Sequence, residues 1–217
     1  MTALPFRTGP EIAAAAPRAA AHLRAGGLLA YPTETVYGLG SRATAGDVAR
    51  LAGLKGRDPG KPFLLLVSDR AMAEAQGLAF NASADVLARA FWPGPLTIVL
   101  PGGGGRLPDL LRGPEGGIAV RWTSHQGMAR LIAELGEPIT STSANLKGAP
   151  PAPGADAVER DFAAAVATGE LMVLDGGVLG NRPPSTVVDC TRTPARLVRS
   201  GAIATDALRR AAGHLAP

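Results

Sequence analysis

Three cations follow one another closely near the end of a predicted helix. Lys55, Arg57 and Lys61 fall within seven residues. Arginine offers phosphate a planar pair of N–H donors and lysine adds a mobile point charge, so this spacing suits a phosphate clamp. The same cations would also be favourable at the negative end of a helix dipole, where they would simply face water. The segment is not a P-loop, because Pro62 stands where a serine or threonine would hold magnesium.

Hydroxyl and amide side chains form a second cluster, which has the sequence STSAN at residues 141–145. It follows the apolar segment 138–140, so its polar groups come where a strand would end. Open α/β sheets usually bind their ligands at the carboxyl ends of strands, which favours a binding role. Short hydroxyl and amide side chains also make local turns, so both interpretations stay open at this point.

Other polar residues adjoin apolar runs. Thr33 and Glu34 lie in the segment PTET, which follows a β-like run, and Arg121 ends the run GIAV. An arginine that leaves a buried strand is usually paired with a carboxylate of the protein, or with a carboxylate or phosphate of a ligand. The residue type alone does not distinguish these partners. Ser185 and Arg199 are two weaker candidates near the C-terminus.

Other kinds of chemistry find little support in the residue pattern. Cys190 lies in a β-branched strand with no base beside it, so we expect a core residue, and a single cysteine forms no internal disulfide. There is no G-x-S-x-G turn for a serine nucleophile. His22, His125 and His214 lack metal-ligand spacing. We therefore expect no structural zinc site and assign no residue as a metal ligand.

A sheet is needed to bring these residues together. Apolar runs of strand length, bounded by Gly, Pro or Asp, occur at 28–31, 63–67, 96–100, 117–122, 138–142, 171–174, 185–190 and 196–199. Capping residues and apolar spacing predict helices that begin at Pro17 and end before Gly26, and over 46–57, 83–91, 126–135 and 155–168. Interleaved strands and helices predict an α/β or α+β sheet protein. The order of the strands cannot be derived from the sequence.

Length and composition fit one domain with many loops. The chain has 217 residues, of which 46% are apolar and 47 (28 + 19) are Gly or Pro. No apolar run approaches the roughly 18 residues that span a bilayer, and the N-terminus lacks a signal-peptide pattern, so we expect a cytoplasmic protein without membrane association. A net charge of +4 suits anionic ligands such as nucleotides or RNA, but only weakly.

The order of the motifs resembles that of the YrdC/TsaC family of L-threonylcarbamoyladenylate synthases. The matching segments are YPTETVYGLG, KGR, FWPGPLTIVLP, GIAVRW, STSANLKGAPP, PSTVVD and LVRSGAI, which cover about residues 15–203. The YPTET block and the paired motifs K-x-R and S-x-N are the most specific of them. The resemblance implies one YrdC-like domain over residues 1–217, without the extra C-terminal domain of longer members. It also implies an α/β (α+β) fold, a twisted open mixed sheet flanked by helices, with a deep, positively charged cavity.

The resemblance also implies an activity. Such enzymes are nucleotidyltransferases that convert L-threonine, bicarbonate and ATP into threonylcarbamoyl-AMP and diphosphate, the first step of the threonylcarbamoyladenosine modification of tRNA. ATP is then a substrate, and Mg²⁺ is expected with its triphosphate. The expected partner is a threonylcarbamoyl-transferase complex that acts on tRNA, while direct binding of tRNA or double-stranded RNA stays open.

Roles for individual residues follow from the same resemblance. The catalytic residues would be Lys55, Arg57, Ser143 and Asn145. The L-threonine pocket, with Arg121 holding the carboxylate, would be lined by Thr33, Arg121, Ser141 and Ser185. The ATP side would include Arg57, Lys61, Gly117, Ser143, Pro151 and Arg199.

Three positions depart from the family pattern. Asp58 replaces a proline that usually follows K-x-R, and its carboxylate would weaken the phosphate clamp or help to hold magnesium. Leu66 stands where longer members have a threonine-contacting histidine, so that contact is not carried over. Pro184 replaces the glutamate of an E-S-T-V motif, which leaves the backbone beside Ser185 less certain.

Two other functions are compatible with the sequence. A non-catalytic module that binds tRNA or double-stranded RNA would suit the positive charge, although only 4% of the residues are aromatic and could stack on bases. A paralogue that acts on another carbamoyl or nucleotide substrate would suit the changes at Asp58 and Pro184. Steep salt dependence of RNA binding without ATP consumption would favour the first, and nucleotide binding without threonine dependence the second.

Overall fold

The computed structural model describes residues 3–57, 61–180, 182–213 and 215–216, and these contain ten strands. Numbered along the chain, the strands are β1 (Leu4–Pro5), β2 (Leu28–Tyr31), β3 (Gly38–Gly40), β4 (Leu64–Val67), β5 (Leu96–Leu100), β6 (Ile118–Trp122), β7 (Ile139–Ser143), β8 (Leu171–Asp175), β9 (Thr186–Asp189) and β10 (Arg196–Arg199). Each of the eight predicted strands is present with ends that differ by at most one residue.

Helices alternate with the strands along much of the chain. They are α1 (Gly9–Arg24), α2 (Ala45–Lys55), α3 (Arg70–Ala75), α4 (Ala82–Phe91), α5 (Gln126–Leu135), α6 (Ala155–Asp161), α7 (Ala163–Ala167) and α8 (Thr205–Ala212), with a 3-10 helix at Asp109–Leu111. No helix of the described residues is long and apolar enough to cross a membrane.

The strands form one mixed sheet in the order β1-β8-β2-β3-β7-β4-β6-β5-β9-β10. The pairs β2 with β8, β4 with β6 and β5 with β9 are parallel, whereas β7 runs antiparallel to both of its neighbours, β3 and β4. Neighbours in this sheet are mostly distant along the chain. The predicted fold class, a mixed α/β sheet flanked by helices, is confirmed.

The two faces of the sheet bury different cores. On one face α1 and α5 pack on each other and on strand residues that include Leu29 and Ile139. The opposite face carries a larger core, which includes Leu65. Side chains alternate between the faces along a strand, so Ser141 and Ser143 share the face of Ile139. Both serines line a cavity beside the helical layer.

The start of α1 differs from the prediction. The helix begins at Gly9, and Pro17, predicted as its first residue, lies inside it. Thr8 and Glu11 form a capping box, because Thr8 Oγ1 accepts from Glu11 N at 3.4 Å and Glu11 Oε2 accepts from Thr8 N at 2.8 Å. The T-x-x-E spacing was therefore the start signal that the sequence analysis missed.

Two further helices depart from their predicted limits. Asn81 rather than Ser83 caps α4, since its Oδ1 accepts from Ala84 N at 2.9 Å. The predicted helix 155–168 is interrupted at Phe162 and forms α6 and α7. The short elements β1, β3, α3 and α8 were not predicted, because few residues in each carry a periodic pattern.

Replacing Thr8 by alanine removes the capping side chain of α1 and should lower the free energy of unfolding by about 1 kcal/mol. Urea unfolding measures this change. Arg18→Ala, at an exposed position of the same helix, is the matched control and should change stability by less than about 0.5 kcal/mol. Equal stability of the Thr8 variant and the wild type would contradict the observed helix start.

Candidate functional site

Polar side chains from many strands line one cavity of about 300 Å³. Its polar lining consists of Thr33, Thr35, Arg57, Thr97, Arg121, Ser141, Thr142, Ser143, Ser185 and Arg199. A smaller adjoining cavity of about 150 Å³ shares Arg57, Thr142 and Ser143, and adds Lys55, Lys61, Asn145 and Lys147. A more open depression of about 550 Å³ lies elsewhere and contains none of the predicted site residues.

The strand order explains why distant segments meet here. β7 carries Ser141 and Ser143 and lies between β3 and β4. β6, on the other side of β4, carries Arg121, and the next strand, β5, carries Thr97. Ser185 directly precedes β9, which pairs with β5. Five consecutive strands of the sheet thus supply one wall.

Arg121 is buried, with 4% of its surface exposed, and contacts the protein on several sides. Its Nη2 lies 2.7 Å from Glu34 Oε1, and its Nη1 and Nη2 donate to Thr35 Oγ1 at 3.1 and 3.2 Å. Its Nε donates to the Gly94 carbonyl at 3.3 Å. The structure therefore pairs Arg121 with a carboxylate of the protein, one of the partners that the sequence left open.

Glu34 is the counter-ion of this arginine and is itself tightly held. Thr123 Oγ1 donates to Glu34 Oε2, and Ser124 N donates to Oε1 at 3.2 Å. Burial raises the pKa of Glu34, but the charge of Arg121 and the hydrogen bonds from Arg121 and Thr123 outweigh it, so the pKa lies below its ordinary value. Glu34 is thus ionised at neutral pH.

Thr33 closes the turn between β2 and β3. Its Oγ1 donates to the Val36 carbonyl at 2.7 Å and accepts from Thr35 N and Val36 N, both at 3.2 Å. The residue lies in the wall of the larger cavity, but its hydroxyl is engaged within the turn, and its role toward L-threonine stays a prediction.

Ser185 and Arg199, which the sequence suggested separately, are in direct contact. Arg199 Nη2 donates to the Ser185 carbonyl at 2.8 Å and to Ser185 Oγ at 3.3 Å, and Thr97 Oγ1 lies 2.8 Å from the same Oγ. Gly201 allows this close approach, because a Cβ there would lie 2.3 Å from the Pro184 carbonyl oxygen. The glycine after Ser200 thus lets the chain that follows β10 pack closely against Pro184 and Ser185.

The K-x-R and S-x-N motifs are joined by hydrogen bonds. Lys55 Nζ donates to the carbonyl of Asn145 and to its Oδ1, the latter at 2.7 Å. Ser143 Oγ donates to the same Oδ1 at 2.5 Å, while Asn145 Nδ2 donates to two carbonyls of the following loop. Asn145 therefore holds Lys55 at the end of β7.

Arg57 lies between the two cavities. α2 ends at Lys55 and is capped by Gly56, whose φ of 56° is left-handed and turns the chain out of the helix. Arg57 Nη1 then donates to Thr142 Oγ1 at 2.8 Å, and the guanidinium lies over the Phe63 ring at 4.4 Å. Burial, and next the charge of Arg57, lowers the pKa of Lys55 to about 8.

The other residues predicted for the ATP side differ in their position relative to the two cavities. Lys61 lines the smaller cavity, whereas neither Gly117 nor Pro151 is among the described residues that line the two cavities. Gly117 directly precedes β6 and is tightly packed, since a Cβ there would lie 2.6 Å from Val99 Cγ1, and Pro151 is exposed. Their roles toward ATP stay predictions.

The three departures from the family pattern have different surroundings. Leu66 is 1% exposed and belongs to the core beneath α1 and α5. Pro184 lines the larger cavity beside Ser185. Asp58 lies outside the described residues.

Sequence reasoning missed the cavity residue Thr97, whereas Thr35 and Thr142 belong to the PTET and STSAN clusters that the sequence indicated. Thr97 lies in the segment PLTIVLP, where it is the one hydroxyl residue of an apolar strand. A polar residue in an apolar strand was a usable signal, because its burial requires a hydrogen-bonding partner.

The two cavities are suited to anions. Their described lining residues include the cations Arg57, Arg121 and Arg199 in the larger one, and three lysines in the smaller one, with no Asp or Glu. Hydroxyl groups supply the remaining polarity. This arrangement can bind a polyanion beside a smaller polar molecule.

The model of the Sua5/YciO/YrdC family, described as "Telomere recombination", matches residues 21–201. The chain belongs to this family. The resemblance noted in the sequence is thereby confirmed.

Relatives of known name cover most of the chain. A threonylcarbamoyl-AMP synthase of Thiobacillus denitrificans is 41% identical over 170 residues, which are 78% of this chain and 87% of the relative. One of Pyrococcus abyssi is 34% identical over 198 residues, 91% of this chain and 57% of the relative. The chain thus spans less than two thirds of the Pyrococcus abyssi protein.

Solved structures agree with the fold. Sua5 of Pyrococcus abyssi complexed with L-threonine superposes with a TM-score of 0.88 and 32% identity, over 99% of this chain and 62% of that one. E. coli YciO has a TM-score of 0.82, covers 95% of this chain and is itself covered completely. Its identity of 24% supports the fold alone.

Glu34→Gln should lower the free energy of unfolding at pH 7 by about 3 kcal/mol, because it leaves a buried guanidinium without its counter-charge. Since the pKa of Glu34 is depressed in the folded protein, its contribution is complete above the unfolded pKa and is lost as pH falls through the folded value. The difference between wild type and variant should therefore shrink towards about pH 3.

Urea unfolding at both pH values tests this prediction. Glu115→Gln is the matched control, since Glu115 pairs with Arg192 and Arg196 near the surface, where such pairs contribute about 1 kcal/mol or less. Similar losses for the two variants at pH 7 would contradict the importance of the buried pair.

Proposed function

We propose that this chain is a threonylcarbamoyl-AMP synthase, which converts L-threonine, bicarbonate and ATP into threonylcarbamoyl-AMP and diphosphate. The observation that carries the proposal is the contact of the K-x-R and S-x-N motifs, through Lys55 and Asn145, beside the cavity that holds Arg121. The names of the relatives and the L-threonine complex of Sua5 support it.

The two cavities suggest where each substrate binds. L-threonine would occupy the larger one, among Thr33, Arg121, Ser141 and Ser185. The triphosphate of ATP would lie along the smaller one, where Lys55, Arg57, Lys61, Ser143 and Asn145 meet. Arg57 and Ser143 line both cavities, so the reacting groups would come together at their boundary.

The chemistry needs no covalent bond to the protein. The neutral amine of threonine attacks the carbon of carbon dioxide derived from bicarbonate and, with loss of a proton, forms a carbamate. A carbamate oxygen then attacks the α-phosphorus of ATP, and the bond from that phosphorus to the bridging oxygen breaks, so that diphosphate leaves. Lys55 and Arg57 would neutralise the charge on the leaving group. Transfer of AMP makes the enzyme a nucleotidyltransferase.

Magnesium would arrive with the triphosphate and offset part of its charge. The described residues contain no group of three or more His, Cys, Asp or Glu that could hold a metal ion. We therefore propose that phosphate oxygens and water, rather than side chains, are its main ligands.

The place of the reaction in the cell follows from its product. A threonylcarbamoyl-transferase complex that acts on tRNA would consume the adenylate, and a cytoplasmic location would suit these substrates. Among the residues that the structure describes, no contact or distance in the site favours the RNA-binding module or the paralogue over the synthase.

The proposal predicts a labelled adenylate. Purified protein with ATP, magnesium, L-threonine and labelled bicarbonate should release diphosphate and place label in an adenylate only when threonine is present. Rapid chromatography detects both products. If ATP binds and no labelled adenylate forms with threonine, the synthase activity is contradicted while the family assignment stands.

Loss of the cationic pair should abolish this activity. Lys55→Ala and Arg57→Ala should each lower diphosphate release at least about 100-fold, because they remove charges that stabilise the leaving group. Arg18→Ala on α1 is the control and should retain activity. A folded Lys55→Ala/Arg57→Ala double variant with normal rates would contradict the assignment of the triphosphate site.

ATP binding should weaken as pH rises through about 8, because the lowered pKa of Lys55 means that its charge is present below this pH and lost above it. Calorimetry from about pH 6.5 to 9.5 measures the Kd without the carbamoylation step. In the Lys55→Arg variant the side chain stays charged throughout, so the Kd for ATP should no longer rise above about pH 8. A wild-type Kd that is constant over this range would contradict the role of Lys55.

A further inference from the structure

The hydrogen bonds of Thr33 and Thr35 can be assigned a direction. Thr33 Oγ1 lies 2.7 Å from the Val36 carbonyl, which can only accept, so the single hydroxyl proton of Thr33 is used there. Thr33 Oγ1 also accepts from Thr35 N and Val36 N at 3.2 Å, so its two acceptor sites are shared, and in the contact of 3.0 Å between the two threonine hydroxyls the donor is Thr35. The proton of Thr35 is committed to Thr33.

Both lone pairs of Thr35 are then available to Arg121. Its Oγ1 accepts from Nη1 at 3.1 Å and from Nη2 at 3.2 Å, and Thr35 is only 3% exposed. A hydroxyl offers two acceptor sites, so Arg121 uses both of those that Thr35 has. It is a fixed acceptor for the end of the guanidinium.

The N–H groups of Arg121 can be counted in the same way. A guanidinium has five N–H donors. Nε donates to Gly94, Nη2 uses its two on Glu34 and Thr35, and Nη1 uses one on Thr35. One N–H of Nη1 remains without a partner among the described residues. Arg121 therefore has no free pair of parallel donors for a bidentate contact with a substrate carboxylate.

We propose that Thr35 is a positioning residue, which fixes the Arg121 guanidinium so that its one remaining N–H meets the carboxylate of the amino-acid substrate. The inference rests on the proposed function, since it assigns the carboxylate of L-threonine to Arg121. Arg121 would then meet the carboxylate through a single, directed hydrogen bond, and Thr35 would act through Arg121.

Thr35→Val tests the proposal, because valine keeps the shape of the side chain and removes the acceptor. The KM for L-threonine in diphosphate release should rise about tenfold, since the guanidinium loses the contact that orients it. The kcat at saturating threonine and the KM for ATP should stay within about twofold. Thr35→Ser retains the hydroxyl and should restore the KM.

Thr140→Val is the matched control. Its buried hydroxyl contacts Ser41 and not the cavity, so the variant should lose stability while keeping both KM values. A merely structural role for Thr35 predicts the same behaviour as Thr140→Val. If valine at position 35 prevents folding, Thr35→Ala serves in its place.

The outcomes separate this proposal from the proposed function. An unchanged KM for L-threonine overturns the proposal, and a lower KM does so as well, because it would mean that the carboxylate competes with Thr35 for Arg121. If the wild type releases no diphosphate, calorimetric binding of L-threonine to wild type and Thr35→Val still decides the inference. A wild type that does not bind L-threonine overturns both.

Discussion

The buried ion pair of Arg121 and Glu34 is the interaction on which the larger cavity depends. It ties the centre of the sheet, through β6, to the segment between β2 and β3, and the Gly94 carbonyl adds the turn before β5. Burying either charge alone would cost several kcal/mol, so the two residues constrain each other's position. The segment that carries Thr33 and Thr35 is thereby held against the sheet, and the cavity keeps its shape.

The smaller cavity follows a different principle. Its described lining carries four cations, Lys55, Arg57, Lys61 and Lys147, and no carboxylate. Asn145 holds Lys55 with its carbonyl groups, which accept hydrogen bonds without supplying a full negative charge. The pKa of Lys55 is lowered as a result of burial and the nearby Arg57. Such a site should bind a multiply charged anion most strongly, because the ligand supplies the negative charge that the lining residues lack.

The end of β7 and Arg57 form the boundary between the larger and the smaller cavity. β7 carries Ser141 in the larger cavity and Ser143 in both, and Arg57 contacts Thr142 between them. One strand end thus presents hydroxyls to both sides of the site. One strand can line both cavities because β7 lies in the middle of the sheet, with β3 and β4 on either side, so that its end is flanked by other polar segments.

The sequence by itself determined the elements and the kinds of chemistry. Alternating apolar runs, glycines and prolines located eight strands, since these signals act over a few residues. The residue types K-x-R, S-x-N and Arg121 indicated an anion site before any contact was known. The capping box of α1 was equally local, and a different choice among local signals placed the helix start at Pro17 rather than Gly9.

Tertiary structure alone decided which of these residues meet. The pairing of Arg121 with Glu34 joins residues 87 (121 − 34) positions apart, and the contact of Thr97 with Ser185 joins residues 88 positions apart. Most neighbouring strands are likewise distant along the chain. Such pairings depend on how the whole sheet buries its two faces, and no local pattern encodes them. The direction of each hydroxyl proton is likewise a property of its neighbours in space, so the sequence indicated the PTET segment but not the contact of Thr35 with Arg121.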